Sequence, residues 1–191
     1  VSRMGVIMTK QEARDFVRGE KRKLDTQTVK KYSREIFKRL KALPEFVRAD
    51  DILTYVSYNQ EADTYEFISD CLSLGKNVYV PKVTGGQMKF LRILSLGELV
   101  PGAYGIMEPV SDSSLCWLPS GKYTFMVMPG LAFDAEHHRA GYGGGFYDRF
   151  LESNTEVYKA AVGFDFQIVE NLESEPFDIC PDVIITQSGI Y

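Results

Sequence analysis

Phe125-Met-Val-Met-Pro-Gly-Leu-Ala-Phe-Asp134, followed by Arg139-Ala-Gly-Tyr-Gly-Gly-Gly-Phe-Tyr-Asp-Arg-Phe-Leu151, is the stretch whose reading decides the fold. Its first run is short, apolar and stopped by Pro-Gly, which reads as a buried strand; a polar loop follows, and glycines then open a helix. Gly141, Gly143, Gly144 and Gly145 put no side chain between the backbone amides and a ligand. The helix they lead into begins with unpaired N–H groups at its positive end, so the turn can cradle phosphate. It is not a P-loop, which needs Lys-Ser/Thr close behind the last glycine, and it gives no convincing dinucleotide fingerprint. Arg139 stands before the glycines, with Tyr142 among them and Phe146, Tyr147, Asp148 and Arg149 just after, so a cation, aromatic rings and a carboxylate are tied to one turn. In the plainer reading Asp148 only favours the helix dipole.

Upstream, Thr9 followed by Glu12 has the spacing of a capping box and predicts a helix over 9–24. Lys10, Arg14, Arg18 and Arg22 recur on it at i, i+4, either as a solvated face or with the first positions meeting phosphate. A second helix is expected from Thr26 to about Leu40, with Pro44 beyond its end. Residues 52–57 read as a buried strand and 65–74 as a helix. The polar loop 59–64 between them places Glu61 just past the strand's C-terminal end, the edge where open α/β sheets bind ligands. Residues 78–83 and 88–93 form a strand pair joined at Gly85-Gly86. From Leu96 to Ser120 the chain is rich in Gly, Pro and Ser, a long loop containing Tyr104-Gly-Ile-Met-Glu-Pro109, with Glu108 held extended before proline. Residues 158–164 and 183–186 are further strands, with Asp178 and Asp182 in the polar approach to the last. Alternating strands and helices predict one α/β domain over residues 1–191, three layers with a largely parallel central sheet and helices on both faces.

Composition bounds the rest. At 191 residues and 45% hydrophobic the chain can bury one sizeable core. No apolar run is long enough to cross a bilayer and no signal-peptide h-region is evident, so a cytoplasmic location is expected. A net charge of −4 gives no overall field for nucleic acid or a membrane surface, and no obligate protein partner is evident. Cys71, Cys116 and Cys180 are scattered and suggest neither disulfides nor zinc, only buried small hydrophobes. His137 and His138 are adjacent, which is poor spacing for a shared metal.

The run from Met128 through Asp134, Arg139, Gly141 to Gly145 and Tyr147 to Leu151 resembles the signature of the 5-formyltetrahydrofolate cyclo-ligases, also called 5,10-methenyltetrahydrofolate synthetases. The likeness extends to Lys10 and Arg14, the 59–64 loop, 104–109 and Asp182. Phe146 stands where that family usually has a tyrosine. The resemblance implies conversion of 5-formyltetrahydrofolate to 5,10-methenyltetrahydrofolate with hydrolysis of ATP, using Mg2+. It implies that Lys10, Arg14 and the segment Arg139, Gly141, Tyr142, Gly143, Gly144, Gly145, Phe146 and Tyr147 hold ATP, with Lys10, Arg139 and Asp148 catalytic. Asp148 and Asp182 would bind magnesium, with Asp178 the alternative to Asp182. Glu61, Gly145, Phe146 and Tyr147 would contact the folate, as would Glu108. Removing Lys10 or Arg139 would then weaken the handling of ATP and leave folding little affected. From the residues alone two other classes stay open: an enzyme acting on a sugar phosphate or thioester, and a nucleotide-binding module without catalysis.

Overall fold

A computed structural model describes residues 7–102, 105–110 and 115–191. The chain runs α1 (Lys10–Lys21), α2 (Thr26–Lys41), α3 (Pro44–Arg48), β1 (Asp51–Thr54), α4 (Tyr65–Ser73), β2 (Asn77–Thr84) and β3 (Gln87–Ile93). It continues with β4 (Leu99–Pro101), β5 (Met107–Pro109), β6 (Thr124–Met128), β7 (Ala132–Phe133), β8 (Arg139–Ala140), α5 (Phe146–Glu152), β9 (Tyr158–Val162) and β10 (Val183–Ile185). Six strands form one sheet in the order β10-β9-β6-β1-β2-β3. All neighbours are parallel except β2 and β3, the hairpin that turns at Gly85-Gly86.

Because successive side chains on a strand point to opposite faces, the apolar runs of the central strands feed two cores. Ile52, Phe125, Val127, Ala160 and Ile185 face Ile36, Leu40, Phe46, Phe67 and Ile68 of α2, α3 and α4. Leu53, Met126, Met128, Ala161 and Ile184 face Phe133, Leu151 of α5 and Trp117. The three-layer α/β arrangement is as the sequence predicts. Helix α1 packs Ala13 and Val17 on Leu131, Ala132, Ala140 and Leu172, and so sits over the β7–β8 hairpin. Its N-cap is the expected capping box: Glu12 N–H donates to the Thr9 hydroxyl at 3.2 Å and Thr9 N–H to Glu12 at 2.9 Å. No helix among the described residues is long and apolar enough to cross a membrane.

Four local expectations change. Pro44 does not merely follow a helix; it opens α3 at a first-turn position where its missing N–H is harmless. The polar loop after β6 contains the two-residue strands β7 and β8, too short for any periodicity to announce them. Part of the long 96–120 loop pairs as β4 and β5, although Tyr104 lies outside the described residues. All three cysteines are free, but only Cys71 is buried, its thiol pushed up to about 12 by that burial; Cys116 and Cys180 are half-buried.

Candidate active site

Where β6 ends and Pro129 follows, the glycine turn, α1 and the segment after Asn171 enclose a cleft of about 680 Å³. Its lining includes Lys10, Arg14, Arg139, all of Gly141 to Asp148, and Glu175, Phe177 and Asp178. Sequence reading thus finds one side of the cleft residue by residue. The cleft forms because α1 docks through Ala13 and Val17, which carries Lys10 and Arg14 on its adjacent face to the turn.

Arg139 is the centre of the arrangement. It is 7% exposed and sets one guanidinium nitrogen against both oxygens of Asp148, at 2.9 and 3.1 Å. A second nitrogen donates to the Pro129 carbonyl at 3.3 Å, while Nε is buried without a partner among the described residues. A Cβ on Gly141 would stand 2.8 Å from this guanidinium, so the residue must be glycine for Arg139 to lie there. Gly143, at φ +103°, holds a backbone angle that other residues rarely adopt. Arg14 donates from Nε to the Gly141 carbonyl at 2.7 Å, tying α1 to the turn. Asp148 also accepts the Ile179 N–H at 3.0 Å, so its carboxylate is engaged by tertiary partners and is more than a helix-start charge. The N-cap of α5 is Gly145, in a left-handed conformation and without a side-chain cap, which leaves the leading N–H groups of the helix for a ligand or water.

Across the cleft lies a feature that no sequence motif announces. Glu173, Glu175 and Asp178 form an acidic arm on the start of α1: Lys10 Nζ meets Asp178 at 2.5 Å and Glu175 at 3.2 Å, and Lys10 N–H meets Glu173 at 3.2 Å. Burial by itself would lower the Lys10 pKa, but hydrogen bonds and charge from Asp178 and Glu175 outweigh it and raise it. The only sequence signal was the acid-rich run Glu173-Ser-Glu-Pro-Phe-Asp178. Arg149, also absent from the sequence-derived set, donates to the Gly144 carbonyl at 2.8 Å and stacks over the Phe146 ring at 5.0 Å.

Three expected residues stand elsewhere. Asp182 lies at the start of β10 and not in the cleft; Lys159 of the neighbouring strand claims its carboxylate, through the backbone N–H at 2.7 Å and the ammonium at 2.8 Å. Asp178, with Glu173 and Glu175, lines the cleft in its stead. Glu108 on β5 faces Lys82, 3.5 Å away, and packs over Gly102, fastening the β4–β5 hairpin. Glu61 does not line the cleft, yet Tyr142 from the glycine turn donates its hydroxyl to it at 2.5 Å. Burial raises the Glu61 pKa, opposed by hydrogen bonds from Tyr142 and Tyr58 N–H and by the charge of Lys21. His137 and His138 bond to the Pro181 carbonyl and to Asp134, and neither reaches the cleft.

The sequence model of the 5-formyltetrahydrofolate cyclo-ligase family matches residues 6–187. A 5-formyltetrahydrofolate cyclo-ligase of Escherichia coli K12 is 32% identical over 182 residues, 92% of this chain and 99% of that protein. A probable 5-formyltetrahydrofolate cyclo-ligase of Schizosaccharomyces pombe is 27% identical, over 87% of this chain and 88% of that one. Among solved structures, a 5,10-methenyltetrahydrofolate synthetase of Aquifex aeolicus superimposes with a TM-score of 0.81 at 33% identity, covering 95% of this chain and 91% of its own. With the glycine turn, its arginine and its carboxylate brought to one cleft, and with similarity running the length of the chain, the protein belongs to the 5-formyltetrahydrofolate cyclo-ligase family.

Proposed function

We propose that the cleft binds ATP with magnesium and that a folate lies beside it, so that the chain works as a 5-formyltetrahydrofolate cyclo-ligase. The family's reaction turns 5-formyltetrahydrofolate into 5,10-methenyltetrahydrofolate. ATP supplies the phosphoryl group that makes the formyl oxygen, otherwise a poor leaving group, able to depart as phosphate. What the protein contributes is position and charge. Lys10 and Arg14 approach from α1 and Arg139 from β8, so cations from two elements flank the turn whose backbone would cradle the phosphates. Asp148 offers oxygen ligands of the kind magnesium prefers, and of the two aspartates expected as the second ligand, Asp178 lines the cleft while Asp182 is held by Lys159. Among the described residues no three acidic, histidine or cysteine side chains form a metal cage; magnesium commonly takes one or two carboxylates and completes its shell with phosphates and water. Glu61, Gly145, Phe146 and Tyr147 form the folate end.

The observation that carries this reading is the convergence of Lys10, Arg14, Arg139 and Asp148 on one glycine turn. Incubating the purified chain with 5-formyltetrahydrofolate, ATP and magnesium should produce the absorbance of the methenyl product, and omitting ATP or chelating the metal should abolish it. Product without ATP, or none with all three present, sinks the reading.

Phe146 tests the folate end. Tyr147, which also lines the cleft, and Phe150 pack their rings on the core, whereas Phe146 lines the cleft half-buried and carries Arg149 over its face. Phe146→Ala should therefore weaken folate binding by roughly 1–3 kcal/mol through lost stacking and buried area. Its melting temperature should stay near the parent's and its KM for ATP should change little; Phe146→Tyr should be tolerated. A large loss of stability, with both KM values disturbed alike, would make Phe146 a core residue instead.

A further inference from the structure

Glu61 follows two residues in left-handed conformation. Asn59 and Gln60 both hold left-handed backbone angles, φ 46° and 56°; asparagine tolerates that region, but Gln60 needs surrounding contacts to hold it there. Those contacts meet at Glu61: its N–H donates to the Tyr58 carbonyl at 3.3 Å, and its Oε2 accepts the Tyr58 N–H at 2.7 Å. The other oxygen, Oε1, accepts the Tyr142 hydroxyl at 2.5 Å, from a residue 81 positions away on the glycine turn. Each carboxylate oxygen has two lone pairs, and each has one occupied, so one acceptor position remains on either oxygen. Two acceptors side by side match two adjacent N–H donors, such as the ring N–H and amino group of a 2-amino-4-oxopyrimidine. Behind them, Lys21 of α1 is buried, its pKa lowered by burial while the Glu61 charge opposes the shift.

We infer that Tyr142 is a positioning residue: its hydroxyl fixes the orientation of Glu61, and through it the glycine turn and the folate carboxylate are set together. This rests on the reading that the turn holds ATP and Glu61 the folate. The consequence is energetic coupling between the two substrates. A nucleotide that orders the turn holds Tyr142 against Glu61, so folate binds more tightly when nucleotide is present, and nucleotide gains by the same factor from folate.

The test is folate affinity with and without a non-hydrolysable ATP analogue and magnesium, by calorimetry, in the parent and in Tyr142→Phe, which keeps the ring and removes the hydroxyl. The parent should bind 5-formyltetrahydrofolate about 5-fold or more tightly with the analogue present, a typical coupling, and Tyr142→Phe should bring that ratio close to one. Folate affinity with nucleotide present and nucleotide affinity with folate present should both weaken in this variant by the same factor, while nucleotide affinity without folate holds. A Glu61→Ala protein should be indifferent to further loss of the Tyr142 hydroxyl, because alanine leaves that hydroxyl no acceptor and the two changes break the same contact. An unchanged ratio in Tyr142→Phe, additive effects of the two substitutions, or no coupling in the parent would overturn the inference. Loss of nucleotide binding in Tyr142→Phe would overturn it too, making the residue a nucleotide contact alone. If instead Glu61→Gln leaves folate affinity untouched while nucleotide still binds, it is the assignment of Glu61 to the folate that fails.

Discussion

Replacing Arg139 with alanine is expected to cost about 3–5 kcal/mol of stability as well as activity, because it breaks an ion pair that is largely out of water. The Arg139 side chain is 5% exposed and its partner Asp148 20%. Truncation strips Asp148 of the guanidinium and leaves its carboxylate only the Ile179 N–H from this cluster. For a chain of this size the melting temperature should drop by on the order of 10 °C. This departs from the expectation, drawn from sequence, that Arg139 could be removed with folding intact: a cation next to a glycine turn reads as a surface ligand group, and only the fold reveals that it is buried. Arg139→Lys should recover part of the loss, since it returns the charge but not the planar guanidinium whose two nitrogens reach Asp148 and the Pro129 carbonyl together. Thermal melts of the three proteins beside nucleotide titrations decide it. An alanine variant as stable as the parent would show that Asp148 does not need its partner.

Asp148→Asn should reduce turnover by about a thousand-fold, equivalent to several kcal/mol of charge stabilisation at the reacting phosphate. Asparagine is close in shape and still accepts a hydrogen bond at its carbonyl oxygen, so the Ile179 contact can persist. The formal charge opposite Arg139 is gone, however, and a stability loss of roughly 1–3 kcal/mol should accompany the lost activity. Titrating the turnover rate with magnesium beside a urea melt separates the two roles. Restoration of full activity by high magnesium would mean that Asp148 only assists the metal; destabilisation with normal turnover would make it a structural counter-ion for Arg139.

The layers of the fold were legible because they are written locally. The apolar runs of β1, β6 and β9, the capping box of α1 and the Gly85-Gly86 hairpin each need only a few neighbouring residues to be recognised. The glycine turn was legible for the same reason. What escaped notice depends on pairings between distant segments. The acidic arm reaches Lys10 from more than 160 residues away, helped by the bridge between Met8 and Leu172, and no spacing rule anticipates that. That Asp178 lines the cleft and Asp182 does not has the same kind of cause. Four residues separate them, and what assigns Asp182 elsewhere is the pairing of β10 with β9, which brings Lys159 to its carboxylate. The place of Glu61 after a strand is legible, but its tie to Tyr142 joins two loops that only the packed structure brings together.

The acidic arm also determines what an approaching anion senses from a distance. The cleft is lined by the cations Lys10, Arg14, Arg139 and Arg149 and by the carboxylates Asp148, Glu152, Glu173, Glu175 and Asp178. Positive and negative groups are interleaved within a few ångströms, so beyond a Debye length of about 8 Å in physiological salt their fields largely cancel. Within a chain that is itself net negative, the mouth of the cleft offers little long-range attraction for a polyphosphate. Association of nucleotide should accordingly be unsteered, its rate nearly flat as ionic strength is varied. Discrimination is deferred to close contact, where a phosphate that meets Lys10 or Arg139 must displace a carboxylate from that cation.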